Sequence, residues 1–399
     1  MTRDQVTAEL LSVGYRDYIL ELPTGMGKSK QAIELMRKYL RNREDLKVLI
    51  LVPRVVLVNN WKDELAKWYK DCKINIQIAC YKSIEKYAGN WDMVIFDEAH
   101  HLTDRCMEAL ESFTIYHNIF LSATLTRDMK QAIQNRCPGI YTYRVSMKKA
   151  IESEVLPEPT VYLMPLFLNT TRMTETIIKN PRGKTTKEVT YDGRWEATRN
   201  KHIKYIIHCT QSQKHEHLCS MVEWYKKQYM TTRNEGLKHL WLRASLDRLQ
   251  WLSNIKVKYS IDINNMCINK KIRSLVFCSS IDQSNLFPKT HPINSKNSVK
   301  DNQVYLDNFN KGVINNVTAV NSLNEGVNLV NCQVGVFNTI NSSEIMTIQK
   351  IGRILRHPNP ILIIPYFSST REEELVDKML EHYNKDNVKK IMNISQIKL

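Results

Sequence analysis

Residues 18–39 read YILELPTGMGKSKQAIELMRKY, and this stretch decides the fold class. Tyr18 to Leu22 is an apolar run that reads as a short buried strand ending at Pro23. From Gly27 to Tyr39 the apolar residues Ala32, Ile33, Leu35, Met36 and Tyr39 recur at helical spacing. Between them lies Pro23-Thr24-Gly25-Met26-Gly27-Lys28-Ser29, a glycine-containing turn from strand to helix. Backbone N–H groups that converge at such a turn can cradle phosphates, and glycine lets the chain approach without a side-chain clash. Lys28 is placed to reach β- and γ-phosphates, and the Ser29 hydroxyl to ligate Mg²⁺. The match is to the TGxGKS half of the phosphate-loop pattern, because Leu22 stands where the full pattern has glycine.

Working outward, strands and helices go on alternating. Lys47 to Val52 reads as a second strand, Val58 to Tyr69 as a helix, and Ile74 to Ala79 as a third strand. Asp92 to Phe96 and Asn118 to Leu121 add two more. Such alternation predicts right-handed βαβ units and a parallel sheet covered on both faces. The pattern resumes near Ile272 and runs to about Phe367, with strands over Ser274 to Cys278, Val317 to Val320, Val334 to Phe337 and Ile361 to Pro365. The intervening chain differs. Leu156 to Leu168 reads as extended, Glu175 to Trp195 as a hairpin about Asn180-Pro181-Arg182-Gly183, and His202 to Asn269 as helical. The expected architecture is therefore α/β, with two parallel-sheet domains in tandem and a mostly helical insert between them or on the second. The expected boundaries are 1–155, 156–271 and 272–399, the last closing on an amphipathic helix, Arg371 to Tyr383, that packs on the second domain.

Composition narrows the partners. The chain has 399 residues, 57 Lys and Arg against 41 Asp and Glu, and a net charge of +16, which favours polyanions. Its 43% hydrophobic and 25% charged content is that of a folded protein with sizeable cores. Twelve glycines and twelve prolines exclude collagen-like and low-complexity classes. The nine cysteines include no CxxC pair, so neither a zinc ribbon nor a thioredoxin-type motif is indicated. His208, Cys209, His215, His217 and Cys219 crowd together but match no standard zinc spacing. With no signal-peptide pattern and no apolar run long enough to span a bilayer, the expectation is a soluble cytoplasmic protein without a membrane partner.

Two further constellations carry chemistry. Asp97-Glu98-Ala99-His100 follows the buried run Met93-Val94-Ile95-Phe96. A carboxylate at a strand end beside a phosphate loop is placed to hold a Mg²⁺ hydration shell, and Glu98 to orient or deprotonate an attacking water. Gln349-Lys350-Ile351-Gly352-Arg353-Ile354-Leu355-Arg356 puts two arginines three apart, on one helical face. Guanidinium groups remain charged and donate in a fork, which suits developing charge on a γ-phosphate.

Taken in order, these strings resemble a superfamily 2 helicase of DExH type, close to the restriction-subunit-like helicases of phages and bacteria. The resemblance implies two RecA-like domains with motif I at Thr24 to Ser29, motif Ia at Leu51-Val52-Pro53-Arg54, motif II at Asp97 to His100 and motif III at Ser122-Ala123-Thr124. Motifs IV, V and VI resemble Leu275 to Ser279, Leu323 to Asn328 and Gln349 to Arg356. It further implies ATP and Mg²⁺ as cofactors. Pro23, Thr24, Gly25, Met26, Gly27, Lys28 and Ser29 would then bind ATP with Arg3, Gln5, Gly326 and Asn328, the last standing where family members often carry aspartate. Ser29 and Asp97 would hold the metal. Lys28, Asp97, Glu98, Gln349, Arg353 and Arg356 would be catalytic, with Arg356 as the arginine finger. His100, Ser122 and Thr124 would couple hydrolysis to domain movement. Pro53, Arg54, Tyr81, Lys82, Ser83, Cys278 and Ser279 would contact nucleic acid, with DNA favoured over RNA.

The function expected is an ATP-dependent helicase or translocase, acting as a monomeric motor. The alternatives are the motor subunit of a restriction or repair complex, and an ATP-switched clamp or annealing protein that does not unwind. Trp195, Trp224, Trp241 and Trp251 have near-helical spacing and read as core, with base stacking as the second reading. Lys179 to Lys187 reads as a solvated basic turn, with a strand-separating pin as the second reading.

Overall fold

The computed structural model describes residues 2–14, 17–40, 46–69, 75–192, 200–320, 329–340, 351–352, 354–381 and 383–399. The first half supplies strands β1 (Tyr18–Glu21), β2 (Lys47–Val52), β3 (Asn75–Cys80), β4 (Gly89–Phe96), β5 (Phe113–Ser122) and β6 (Tyr141–Arg144). They form one sheet in the order β3-β2-β4-β5-β1-β6, with every pairing parallel. Val48 to Val52 are fully buried, as a strand covered on both faces requires. Burying each such Val, Leu or Ile stabilises the fold by roughly 1.5–3 kcal/mol before entropy is counted.

The helix Lys28–Leu40 supplies Ala32, Ile33, Leu35 and Met36 to one face of this sheet. The helix Val55–Trp68 adds Leu57 and Trp61 to the same layer. The opposite face is closed by the short helical turns around Tyr81, Ile84, Leu102 and Leu110 and by the helix Arg127–Arg136 through Ile133. A first helix, Arg3–Ser12, carries a capping box between Thr2 and Gln5 and buries Val6 and Leu10. Six of its ten positions are polar or charged and give it little periodicity, so it goes undetected in the sequence.

The second half contains β7 (Thr160–Leu166), β8 (Glu175–Lys179), β9 (Thr185–Thr190), β10 (Ile203–Cys209), β11 (Ser274–Phe277), β12 (His291–Ile293), β13 (Asn316–Ala319), β14 (Val334–Phe337), β15 (Ile361–Phe367) and β16 (Val388–Lys390). Seven of these form a second parallel sheet, β12-β13-β11-β14-β15-β7-β16. Strand β7 comes from the segment expected to connect the halves, yet it pairs with β15 and β16. The helix Arg371–Leu380 packs on this domain through Val376 and Met379, followed by Tyr383, as its amphipathic pattern predicts.

The insert departs from the sequence reading in two ways. Ile203 to Cys209, expected to be helical, is strand β10; its alternation of half-buried and buried positions encloses Tyr205, Ile207 and Cys209 in a small core. And β8 and β9 do not form a hairpin. β10 lies between them, antiparallel to β8 and parallel to β9. The turn at Asn180 is present, with Gly183 N donating to Asn180 O at 2.9 Å, but a later strand captures the ladder on both sides. Beyond β10 the chain forms two long helices, Gln211–Thr232 and Glu235–Asn269, packed together as an antiparallel pair.

The second of these helices docks on the second sheet with a polar stripe. Ser253, Lys256, Ser260 and Asn264 are all fully buried. Lys256 Nζ lies 2.5 Å from Glu372 Oε1 and donates to Pro365 O at 3.0 Å. Ser260 Oγ donates to Asn338 Oδ1 at 2.8 Å, and Ser274 Oγ to Asn264 Oδ1 at 3.0 Å.

Candidate active site

Three adjacent parallel strands of the first sheet, β4, β5 and β1, end side by side. The residues that follow them therefore meet: Pro23–Ser29 after β1, Asp97–His100 after β4, and Ser122–Thr124 at the end of β5. Gly25 (φ 96°) and Gly27 (φ 82°) both take left-handed backbone, which a side chain would strain. The Arg3 guanidinium donates to Gly25 O at 2.9 Å and holds the loop from the first helix. Lys28 Nζ donates to Leu22 O at 3.4 Å and stands 3.7 Å from Glu98 Oε1.

Asp97 is buried and closely held. Its Oδ2 accepts from the Trp61 indole N–H at 2.8 Å, its Oδ1 accepts from Glu98 N at 3.0 Å, and its carbonyl accepts from the Tyr81 hydroxyl at 2.7 Å. Burial, and next the Glu98 carboxylate, push the Asp97 pKa up to about 7, against the pull of Trp61 and Lys28. A carboxyl in that condition gains from a cation beside it. Glu98 has φ 47°, a left-handed conformation that costs a non-glycine residue roughly 1–3 kcal/mol. Its Oε2 is buried with no hydrogen-bond donor, as is Thr24 Oγ1. His100 Nδ1 lies 3.2 Å from Ser122 Oγ and 3.5 Å from Glu98 Oε2, while Ser122 Oγ donates to Thr124 O at 2.7 Å. One short chain of side chains thus joins the acidic pair to the end of β5.

The second domain reaches the same place. A Cβ on Gly352 would come within 2.5 Å of the Thr24 Cβ, so glycine is what lets this segment lie on the phosphate-type loop. An open cleft of about 990 Å³ is lined by Lys28, Ser29, Trp61, Asp97 and Glu98 from one side and Leu355 and Arg356 from the other. Arg356 is exposed to the cleft; desolvation by the protein packed about it lowers its pKa, and the Glu64 carboxylate opposes that shift.

Residues 4–127 match the family model of the type III restriction enzyme res subunit, and residues 255–358 match that of the helicase conserved C-terminal domain. Together the two span more than half of the chain, in the order the motifs predict. The chain belongs to the superfamily 2 helicase family. Its fold is similar to S. cerevisiae Dbp5 bound to RNA and ADP BeF3 (TM-score 0.56, 12% identity, 98% of this chain and 88% of that one). It is likewise similar to the Pyrococcus furiosus Hef helicase domain (TM-score 0.51, 14% identity, 94% and 97%). Both likenesses support two RecA-like domains in tandem. No curated protein compared with the chain matches it in sequence.

The structure brings Lys28, Ser29, Asp97, Glu98 and Arg356 to one cleft, and His100, Ser122 and Thr124 to one another beside it. Other candidates do not present their side chains to a ligand. Met26 is fully buried in the core and Pro23 is buried under the loop, so these two contribute backbone at most. Gln5 Oε1 accepts from Thr2 N at 2.6 Å; the side chain is occupied in capping its helix. Tyr81 is turned inward onto Asp97 rather than outward, because the apolar side of its turn packs with Ile84. Cys278 is buried at the end of the strand, and Ser279 Oγ donates to Gln283 Oε1 at 3.2 Å. Pro53 is half-buried, Arg54 and Lys82 are exposed, and Ser83 Oγ donates to Cys80 O at 2.9 Å. Gly326, Asn328, Gln349 and Arg353 lie outside the described residues, as does Trp195.

Trp61 and Glu64 are the site residues that sequence reading misses. Trp61 follows Leu57 by four positions and precedes Leu65 by four, so it reads as one more core residue of an amphipathic helix. Only the fold reveals that its indole N–H is aimed at Asp97. No helix among the described residues is long and apolar enough to cross a membrane.

Proposed function

We propose that the cleft binds and hydrolyses ATP with Mg²⁺, and that closure and reopening of the two domains drive movement along nucleic acid or its unwinding, DNA being favoured over RNA. The observation that carries this is the convergence of Lys28, Asp97 and Glu98 from one RecA-like domain with Arg356 from the other in a single cleft. Neither half is complete alone, so catalysis requires closure. The working halves are residues 1–155 and 272–399, the latter joined by β7.

Each residue then has a task. Gly25 and Gly27 open the loop to phosphate oxygens, Lys28 exchanges its contact with Glu98 for the β- and γ-phosphates, and Thr24 Oγ1 gains the partner it lacks. Release from Lys28 frees Glu98 to orient and deprotonate the attacking water. Arg356 donates to the γ-phosphate as negative charge builds. The donor set suits Mg²⁺: one desolvated carboxylate, Asp97, and one hydroxyl, Ser29, beside a phosphate site. Mg²⁺ is ordinarily held by one or two carboxylates together with substrate phosphates and water, and among the described residues there is no cluster of three or more acidic, His or Cys side chains that forms a complete metal cage. When bound, Mg²⁺ supplies positive charge at the phosphate oxygens.

Steady-state ATP hydrolysis measured with single-stranded DNA, duplex DNA, forked DNA and RNA tests this reading. The expected result is strong stimulation by one polymer class, abolished in Lys28→Ala. Hydrolysis indifferent to every polymer would break the coupling between ATP and nucleic acid.

A further inference from the structure

The small sheet of the insert brings together two basic stretches that lie far apart in the chain. β10 inserts between β8 and β9, so residues 182–187 and 201–204 meet at one end of the sheet. Lys184 N and Thr185 N both donate to His202 O, at 2.9 and 3.3 Å. Asn180, held at φ 48°, donates through Nδ2 to Asn200 O at 3.0 Å and to Ile203 O at 3.2 Å. A Cβ on Gly183 would collide with the backbone of Ile203 and Lys204, so only glycine lets the turn seat this closely. The backbone therefore brings Arg182, Lys184, Lys201 and Lys204 together as one group.

No Asp or Glu occurs in 179–187 or in 200–209. Glu188 shares the sheet face of Lys204 but lies two positions further along, beside Ile206, and its carboxylate stands 3.1 Å from His208 Nε2. Glu175, at the far end of β8, is taken up by Lys214 at 2.8 Å and Trp251 at 3.0 Å. None of these four cations has an ion-pair partner among the described residues, and Arg182, Lys184 and Lys201 are exposed. Strands about 4.8 Å apart put the group within roughly 10 Å, close to the screening length of about 8 Å at physiological salt. These charges repel one another, and a bound polyanion relieves that repulsion.

We propose that this end of the insert is a nucleic-acid contact outside the ATP cleft, gripping the sugar–phosphate backbone. The inference rests on the nucleic-acid reading of the motor and adds a second point of attachment to it. Three lysines and an arginine, with the exposed Thr185 and Thr186 hydroxyls between them, suit phosphate oxygens. They offer no apolar anchor for a protein partner. The grip is therefore insensitive to base sequence and sensitive to salt.

The test is fluorescence anisotropy of the full chain with labelled single-stranded DNA, forked DNA and RNA between about 50 and 200 mM salt. In the variant Arg182→Gln/Lys184→Gln/Lys201→Gln, the slope of log affinity against log salt should shrink by about 2–3 on at least one polymer, with affinity down about tenfold or more. Polymer-free ATP hydrolysis should stay at the wild-type rate, which also reports that the motor is folded. Gly183→Ala changes no charge and should weaken the same binding by displacing the turn. Wild-type affinity and slope in the triple variant on all three polymers would overturn the proposal. Failure of the wild type itself to bind any polymer would instead remove the nucleic-acid reading on which it rests.

Discussion

Replacing Arg356 by alanine should lower ATP turnover by about three orders of magnitude or more, with nucleotide affinity changed only a few-fold. The basis is geometric and electrostatic. Lys28 and Glu98 already face the cleft from the first domain, so binding contacts survive the change. What disappears is the cation supplied from the second domain, next to Leu355 and within electrostatic reach of Glu64. Its task lies in the transition state, where charge on the γ-phosphoryl group is spread over several oxygens. Lysine should rescue poorly, since a point charge replaces a planar fork of donors. Single-turnover hydrolysis beside a fluorescent-nucleotide binding titration separates the two quantities. Turnover within tenfold of wild type would mean that Arg356 is not the finger.

Lys256→Met should be the most damaging single change to stability, at about 3–5 kcal/mol. Lys256 is fully buried and its partner Glu372 nearly so. Removing the ammonium leaves a carboxylate that retains one donor, Phe367 N at 3.0 Å, for its Oε2, while Oε1 loses its cation. Burial lowers the Lys256 pKa and Glu372 acts against that shift, so the charged pair is mutually dependent. In a domain of this size each kcal/mol moves the melting temperature by roughly 2–4 °C, which gives a shift on the order of 10 °C by calorimetry. The double variant Lys256→Met/Glu372→Leu should recover most of it, because two apolar groups leave no unpaired charge. Equal melting temperatures for Lys256→Met and wild type would contradict this account of how the long helix is held.

The central strands of both sheets were legible in the sequence because buried parallel strands flanked by amphipathic helices leave a strong local signal, as in Lys47–Val52 and Val334–Phe337; the edge strands β6, β12 and β16 were not, being only three or four residues long. The motif residues were legible for a related reason: phosphate binding needs glycine, lysine and a hydroxyl in one short loop. The insert was not. Whether Asn180–Gly183 closes a hairpin depends on β10, a strand more than twenty residues downstream that competes for the same edges, and no local pattern encodes that outcome. The Trp61–Asp97 bond was hidden because a core tryptophan and a hydrogen-bonding one occupy the same periodic position. Tyr81 and Cys278 were assigned outward roles by their motif strings, whereas burial against Asp97 and the strand interior turns them inward.

The central claim is that ATP hydrolysis in the cleft does mechanical work on nucleic acid. Strand displacement from a forked duplex, measured for the wild type and for Glu98→Gln, tests it most directly. The account predicts ATP-dependent release of the displaced strand by the wild type. In Glu98→Gln, which retains a side chain of the same size but loses the base, that release should fall by about two to four orders of magnitude. Unwinding that persists in Glu98→Gln, or that proceeds in the wild type without ATP, would contradict it.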